Sequence, residues 1–243
     1  MFGDFTEDVA PEYVDAKPWS AFKELCAERD VMGCLFRGHF FGAFEEEAKK
    51  LKCTRLIAVR PAKKGDFRAP SITVAGVVSN IRSSLSKDGK PMGSFIIDDG
   101  TAQMSVNCFG DSWLQFRNIV KNDEVVFVTG RAREDKFSPS GIGIAGNRVE
   151  VPAVQRAKQN MVLELTITDP NLDFDALRVL LQSHKPEQDD TGCRVAVKLQ
   201  NKQYQGAVLM GKEWQIYADQ SFEHELAEFA GMSYRFVPKE SLA

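Results

Sequence analysis

Apolar positions follow two periods along this chain, and the places where the period changes divide it. Residues 1–19 follow neither: they are acidic, hold Pro11 and Pro18, and predict a flexible leader. From Ser20 the spacing is helical. Ser20 is placed to cap a short helix that turns Phe22, Leu25 and Cys26 inward and stops near Gly33. A second helix is expected with Phe40, Phe44, Ala48 and Leu51 on one face. Its outer face carries Glu45–Lys49 and Glu46–Lys50 pairs at i,i+4, which lend modest support. The run from Arg60 to Pro70 has the composition of a loop, so residues 20–70 read as a helical segment and linker.

At Ser71 the period drops to two. Strands are predicted over 72–82, 92–98 and 101–109, with Asp98-Asp99-Gly100 as a hairpin turn between the last two. Asp111 is placed to cap a helix whose Trp113, Phe116 and Val120 share a face. Two further strands follow, over 124–133 and 141–149. Three strands, a helix, then two strands is the order of an OB-fold, a small five-stranded barrel, here over 71–150. Gly76 would let a long first strand bend round the barrel corner.

Residues 151–160 read as a polar connector, and 161–243 as a second, smaller α/β domain. It opens with a strand over 161–168 that ends at Asp169-Pro170. A helix with Phe174, Leu177 and Leu181 on one face comes next. A hairpin across Asn201-Lys202 follows, then a short strand over 215–218. Ser221 is placed to cap a last helix, with Phe222, Leu226 and Phe229 aligned and Gly231 at its end. Tyr234 to Val237 closes the chain. The fold class is therefore α+β, mainly β: a helical segment, a barrel and a small α/β unit.

Charge and cysteine usage narrow the function classes. The formal net charge is -3, so any contact with nucleic acid must come from a local basic patch. No apolar stretch is long enough to span a bilayer, and the acidic start has no signal-peptide character, which predicts a cytoplasmic protein without membrane partners. Cys26, Cys34, Cys53, Cys108 and Cys193 are odd in number and show no C-x-x-C spacing, an argument against a zinc site or a disulfide framework.

The strongest chemical signal is the expected barrel mouth. Arg82, Lys87 and Lys90 lie at or in the loop between the first two strands, and Lys136 and Phe137 in the loop between the last two. Phe95, Arg131 and Arg133 are candidates for the face between those loops. Cations neutralise phosphates, and an exposed ring gives a base something to stack on. The competing reading is a solvated surface, because Asp88, Glu134 and Asp135 lie nearby. Asp98 and Asp99 together suggest a metal, but an Asp-Gly turn accounts for them better. His39, His184 and His224 are far apart in sequence and form no catalytic pattern, and no G-x-S-x-G motif is present. No catalytic residue and no metal ligand is assigned.

Three segments carry a resemblance to bacterial DNA polymerase III alpha subunits. Glu28-Arg29-Asp30-Val31-Met32-Gly33-Cys34-Leu35-Phe36-Arg37-Gly38-His39 resembles the family's E-x-E-x-L-G-(three residues)-S-G-H-P, with Arg37 in place of Ser and Phe40 in place of Pro. Thr73-Val74-Ala75-Gly76-Val77-Val78, Lys87-Asp88-Gly89-Lys90-Pro91-Met92 and Asp98-Asp99-Gly100 are similar to its V-x-V-A-G, K-x-G-x-x-M and D-D/E-x-x-G signposts. The element order after residue 160 looks like its domain that binds the clamp loader. The resemblance implies the C-terminal portion of such a subunit. This portion would hold single-stranded DNA template in the barrel, dock the tau subunit of the clamp loader and join the remainder of the polymerase. Met1-Phe2 matches the end of the family's Q-x-D-[ML]-F sliding-clamp peptide, truncated here, so clamp binding would be weak or lost. The family's catalytic carboxylates lie far upstream and match nothing in this chain. The resemblance thus implies no polymerase activity and no cofactor on this chain, with Mg2+ belonging to the full-length DNA-directed DNA polymerase. The alternatives are a stand-alone single-strand-binding accessory protein and an RNA-binding module of the same fold.

Overall fold

A closed barrel in the strand order β1-β2-β3-β5-β4 forms the centre of the molecule. The computed structural model describes residues 19, 21–62, 70–86, 88–187, 192–200 and 205–242. Residues 1–18 of the predicted leader, the Ser20 cap, residues 63–69 of the predicted loop and the Asn201-Lys202 turn lie outside them. The barrel strands are β1 (Ile72–Leu85), β2 (Pro91–Asp98), β3 (Gln103–Phe109), β4 (Val125–Glu134) and β5 (Ile142–Glu150). Alternate residues turn inward, so Val74, Val78, Phe95, Ile97, Val106, Val126, Val128 and Ile144 fill the interior. β1 serves both sides of the barrel: it pairs with β4 over Ile72 to Val77 and with β2 from Val77 onward. Gly76 sits at the changeover, where a Cβ would lie 2.9 Å from the carbonyl oxygen of Asp98. Parallel pairing of β3 with β5 closes the barrel. This is the OB-fold expected from the element order.

Before the barrel, α1 (Ala21–Met32) ends at Gly33, whose φ of +72° suits glycine. The predicted second helix is a 3-10 turn over Phe40–Phe44 running into α2 (Glu45–Lys50). Phe40, Phe44 and Ala48 are buried as the period required, against Ala75, Val77 and Phe127 on the barrel wall. Between β3 and β4, α3 (Asp111–Phe116) turns Trp113 inward. Its N-cap is Gly110 at φ +58°, without a side-chain cap, so the expected Asp111 cap is corrected: the tight exit from β3 needs a left-handed residue there.

The stretch read as a polar connector holds α4 (Pro152–Lys158), with Ala153 and Arg156 fully buried. Charge had marked it as surface, but its arginine is neutralised inside. Beyond it lies a four-stranded sheet in the order β8-β7-β6-β9. Its strands are β6 (Met161–Ile167), β7 (Arg194–Gln200), β8 (Gln205–Leu209) and β9 (Met232–Pro238). β6 and β7 are parallel, joined through α5 (Phe174–Ser183). α5 and α6 (Gln220–Ala227) pack Leu177, Leu181, Phe222 and Leu226 on the sheet. Three expectations fail locally. Phe174 is half exposed, and Leu180 takes its place on the inner face. Residues 215–218 contribute one bridge, Cys193 to Ile216, not a strand. Asp219, not Ser221, caps α6 by accepting from Phe222 N at 2.9 Å, because the helix starts two residues earlier than its apolar pattern indicated.

Candidate nucleic-acid interface

A groove of about 470 Å3 opens on the barrel between β1, β2, β3 and the β4–β5 loop. Strand alternation positions its walls. On β4, Ala132 points into the barrel, so Arg131 and Arg133 both point out. Arg133 enters the groove and lies 5.5 Å over the ring of Phe109, a cation–π contact that holds the guanidinium in place. Arg82 lines the opposite wall, from β1.

The β4–β5 loop is braced against β3. Asp135 accepts from Ser105 Oγ at 2.6 Å, Asn107 Nδ2 at 3.3 Å and Phe137 N at 3.0 Å. Ser138 Oγ accepts from Ser105 N at 2.9 Å. Hydrogen bonds from Ser105, Phe137 N and Asn107 outweigh partial burial and hold the Asp135 carboxyl below the usual range, so it is ionised at neutral pH. The loop thereby carries Phe137 outward with 97% of its surface exposed. The ring contributes no burial to the fold and stands open to a ligand beside the groove.

Of the residues singled out from sequence, Arg82, Arg133 and Phe137 are brought together around the groove. Arg131, Lys136 and Lys90 are exposed nearby without lining it. Lys87, Met1 and Phe2 lie outside the described residues. Phe95 is a correction. It borders the groove in the chain, but its ring lies in the barrel core at 1% exposure, because β2 alternation turns it inward and Ser94 and Ile96 outward. It offers no face for stacking. Sequence reasoning missed Asn80, Ser94, Ser105 and Asn107, the polar residues of the floor and walls. Alternation along β2 and β3 was the signal that could have found the last three.

The acidic turn has no free ligating atoms. Asp98 Oδ1 accepts from Gly100 N at 2.8 Å and lies 3.3 Å from His39 Nε2. Asp99 Oδ1 accepts from Thr101 N and Thr101 Oγ1, and its Oδ2 from Leu56 N at 2.8 Å. Among the described residues no group of three or more His, Cys, Asp or Glu is gathered to hold a metal, and no helix is long and apolar enough to cross a membrane.

Residues 72–152 match the family described as an OB-fold nucleic acid binding domain. Over 235 residues the chain is 25% identical to the DNA polymerase III subunit alpha of Escherichia coli (strain K12), covering 95% of this chain and 20% of that protein. The same subunit of Vibrio cholerae serotype O1 is 24% identical over 237 residues, again 95% and 20%. The chain thus spans about a fifth of the length of the curated relatives it matches. Among solved structures, asparaginyl-tRNA synthetase from Pyrococcus horikoshii gives a TM-score of 0.34 at 18% identity, over 42% of this chain and 23% of that one. The second single stranded DNA binding protein of Mycobacterium smegmatis gives 0.31 at 17%, over 35% and 89%. The similarity to DNA polymerase III alpha subunits extends across the helical segment, barrel and second sheet together.

Proposed function

We propose that the barrel groove binds single-stranded nucleic acid, and that it does so as part of a DNA polymerase III alpha subunit handling single-stranded template. One observation carries the reading: Arg82, Arg133 and the exposed ring of Phe137 converge on one groove of a domain that matches a nucleic-acid-binding family. The arginines supply phosphate contacts and the ring a stacking platform. Asp135, ionised on the floor, repels phosphates, so the backbone runs along the arginine walls and the bases turn inward. Two arginines against two nearby acids give a weak, salt-sensitive binder.

Fluorescence anisotropy with a labelled oligo(dT) across a salt series tests this. Arg82→Ala with Arg133→Ala should weaken binding and flatten the dependence on salt by about two phosphate contacts. Phe137→Ala should weaken it by roughly 1–3 kcal/mol with little change in that dependence. If all three changes leave both quantities as they were, the groove is not the site.

The finer reading gives the second sheet the docking of the clamp loader's tau subunit. It is supported by similarity that continues past the barrel through 95% of the chain. Residues 235–238 belong to β9 and carry buried Phe236 and Val237, so cutting the tail back to residue 234 would strip a strand. A sounder test immobilises the whole chain and titrates purified tau. Binding that persists in the Phe137→Ala protein supports separate surfaces, and no binding removes the tether from the function.

A further inference from the structure

β1 loses register with β2 between Ser79 and Arg82, and at this bulge Asn80 adopts φ +53°. Asparagine tolerates the left-handed region better than most residues, at some cost. Bulges of this kind re-aim a side chain next to a working site. Asn80 is exposed, lines the same groove as Phe137, and its carboxamide makes no hydrogen bond to any described residue. The neighbouring polar groups differ in this respect. Ser105 Oγ and Asn107 Nδ2 both donate to Asp135. The groove therefore holds one strained, uncommitted amide, with a donor and an acceptor side by side.

We infer that Asn80 is a base-reading residue: its carboxamide pairs with the edge of a base that enters the groove and stacks on Phe137. This rests on the groove being a single-strand site. Each nucleobase edge presents adjacent donors and acceptors, and an amide matches such a pair with two hydrogen bonds. The arginines hold the strand by its phosphates and carry no sequence information; among the described groove residues Asn80 offers an unbonded donor and acceptor side by side, where Ser94 has a single hydroxyl and Asn107 Nδ2 is bonded to Asp135.

Affinities of the full chain for oligo(dC), oligo(dT) and a dT oligomer with abasic sites test this, using wild type, Asn80→Gly and Asn80→Asp. Glycine keeps the left-handed bulge and removes the amide. Asn80→Gly should weaken oligo(dC) and oligo(dT) about tenfold each, yet bind the abasic oligomer as wild type does. Aspartate only accepts, so it favours the cytosine amino group. The dC-to-dT affinity ratio should rise about fivefold in Asn80→Asp. Unchanged ratios and affinities in both variants overturn the inference while leaving the groove in place. Equal loss on intact and abasic oligomers overturns it too, since the contact is then to backbone. If wild type binds none of the three, the groove reading falls and takes this inference with it. Thermal unfolding of each variant separates lost contact from lost fold.

Discussion

Gly93 on β2 lies under the indole of Trp113, and a Cβ at that position would overlap the ring. Trp113 cannot retreat: it is 3% exposed, and its Nε1 donates to Ser83 Oγ at 3.1 Å across the strand pair. Gly93→Ala should therefore destabilise the protein by about 1–3 kcal/mol, read as a lower urea midpoint with altered tryptophan fluorescence. An unchanged midpoint would show that α3 shifts freely. The inward face of α3 was legible from the spacing of Trp113 and Phe116, but its glycine seat was not, because Gly93 and Trp113 meet only when β2 and α3 pack. Phe95 and Phe137 give the same lesson. Both are aromatics near the mouth in sequence, yet strand alternation buries one and a braced loop exposes the other.

The Asp98–Gly100 turn does more as an element than end a hairpin. His39 Nδ1 accepts from Phe41 N at 3.1 Å, capping the 3-10 turn, while its Nε2 meets Asp98, so two of the sequence signposts touch. Burial acts to raise the Asp98 pKa, but hydrogen bonds from His39, Gln103 and Gly100 N outweigh it and leave it below the ordinary value. The folded state thus holds the carboxylate ionised to lower pH than the unfolded chain does. The stabilisation is present above an aspartate's usual pKa of about 4 and is lost as pH falls through the lower folded value. Asp135 shifts in the same direction and adds to the slope. Asp98→Asn should be less stable at neutral pH by about 1 kcal/mol and lose less than wild type between pH 5 and pH 3. Parallel stability curves over that window would contradict the coupling.

Across the whole molecule, Arg156 on α4 ties three parts together. Its Nε and Nη2 donate to the two carboxylate oxygens of Glu47 at 2.6 Å each, and its Nη1 to Glu223 Oε1 and Ala218 O at 2.8 Å. The guanidinium is fully buried, 3.6 Å from the centre of the Phe236 ring and 5.6 Å from that of Phe44. Burial opposes its charge, but Glu223 and Glu47 more than restore it. One side chain thus links α2, the connector and α6. Lys50 Nζ donating to Phe236 O and Val125 N donating to Gln220 Oε1 reinforce the same junction. Arg156→Ala leaves two buried carboxylates unpaired and should cost about 3–5 kcal/mol in denaturant unfolding. Replacing Glu47, Arg156 and Glu223 together with Leu, Met and Leu should cost far less. A triple variant no better than the single one would place the stability in the rings flanking Arg156.

Apolar periodicity and turn residues along the chain were enough to expect the barrel and the succession of its elements, because alternation and Asp-Gly turns are local properties. They also marked Arg82 and Phe137 for its mouth and Arg133 as a candidate for the face between the loops. The motif spacing carried the resemblance to the polymerase subunit. What needed the tertiary structure was every feature made by residues distant in sequence. Asn80 gained its aim from a bulge that depends on β2, and Phe95 lost its role to the core. Arg156 turned a polar connector into a buried joint by finding Glu47 and Glu223, 109 and 67 residues away. Charge in a sequence marks surface unless its partner is known, and only packing brings the partner.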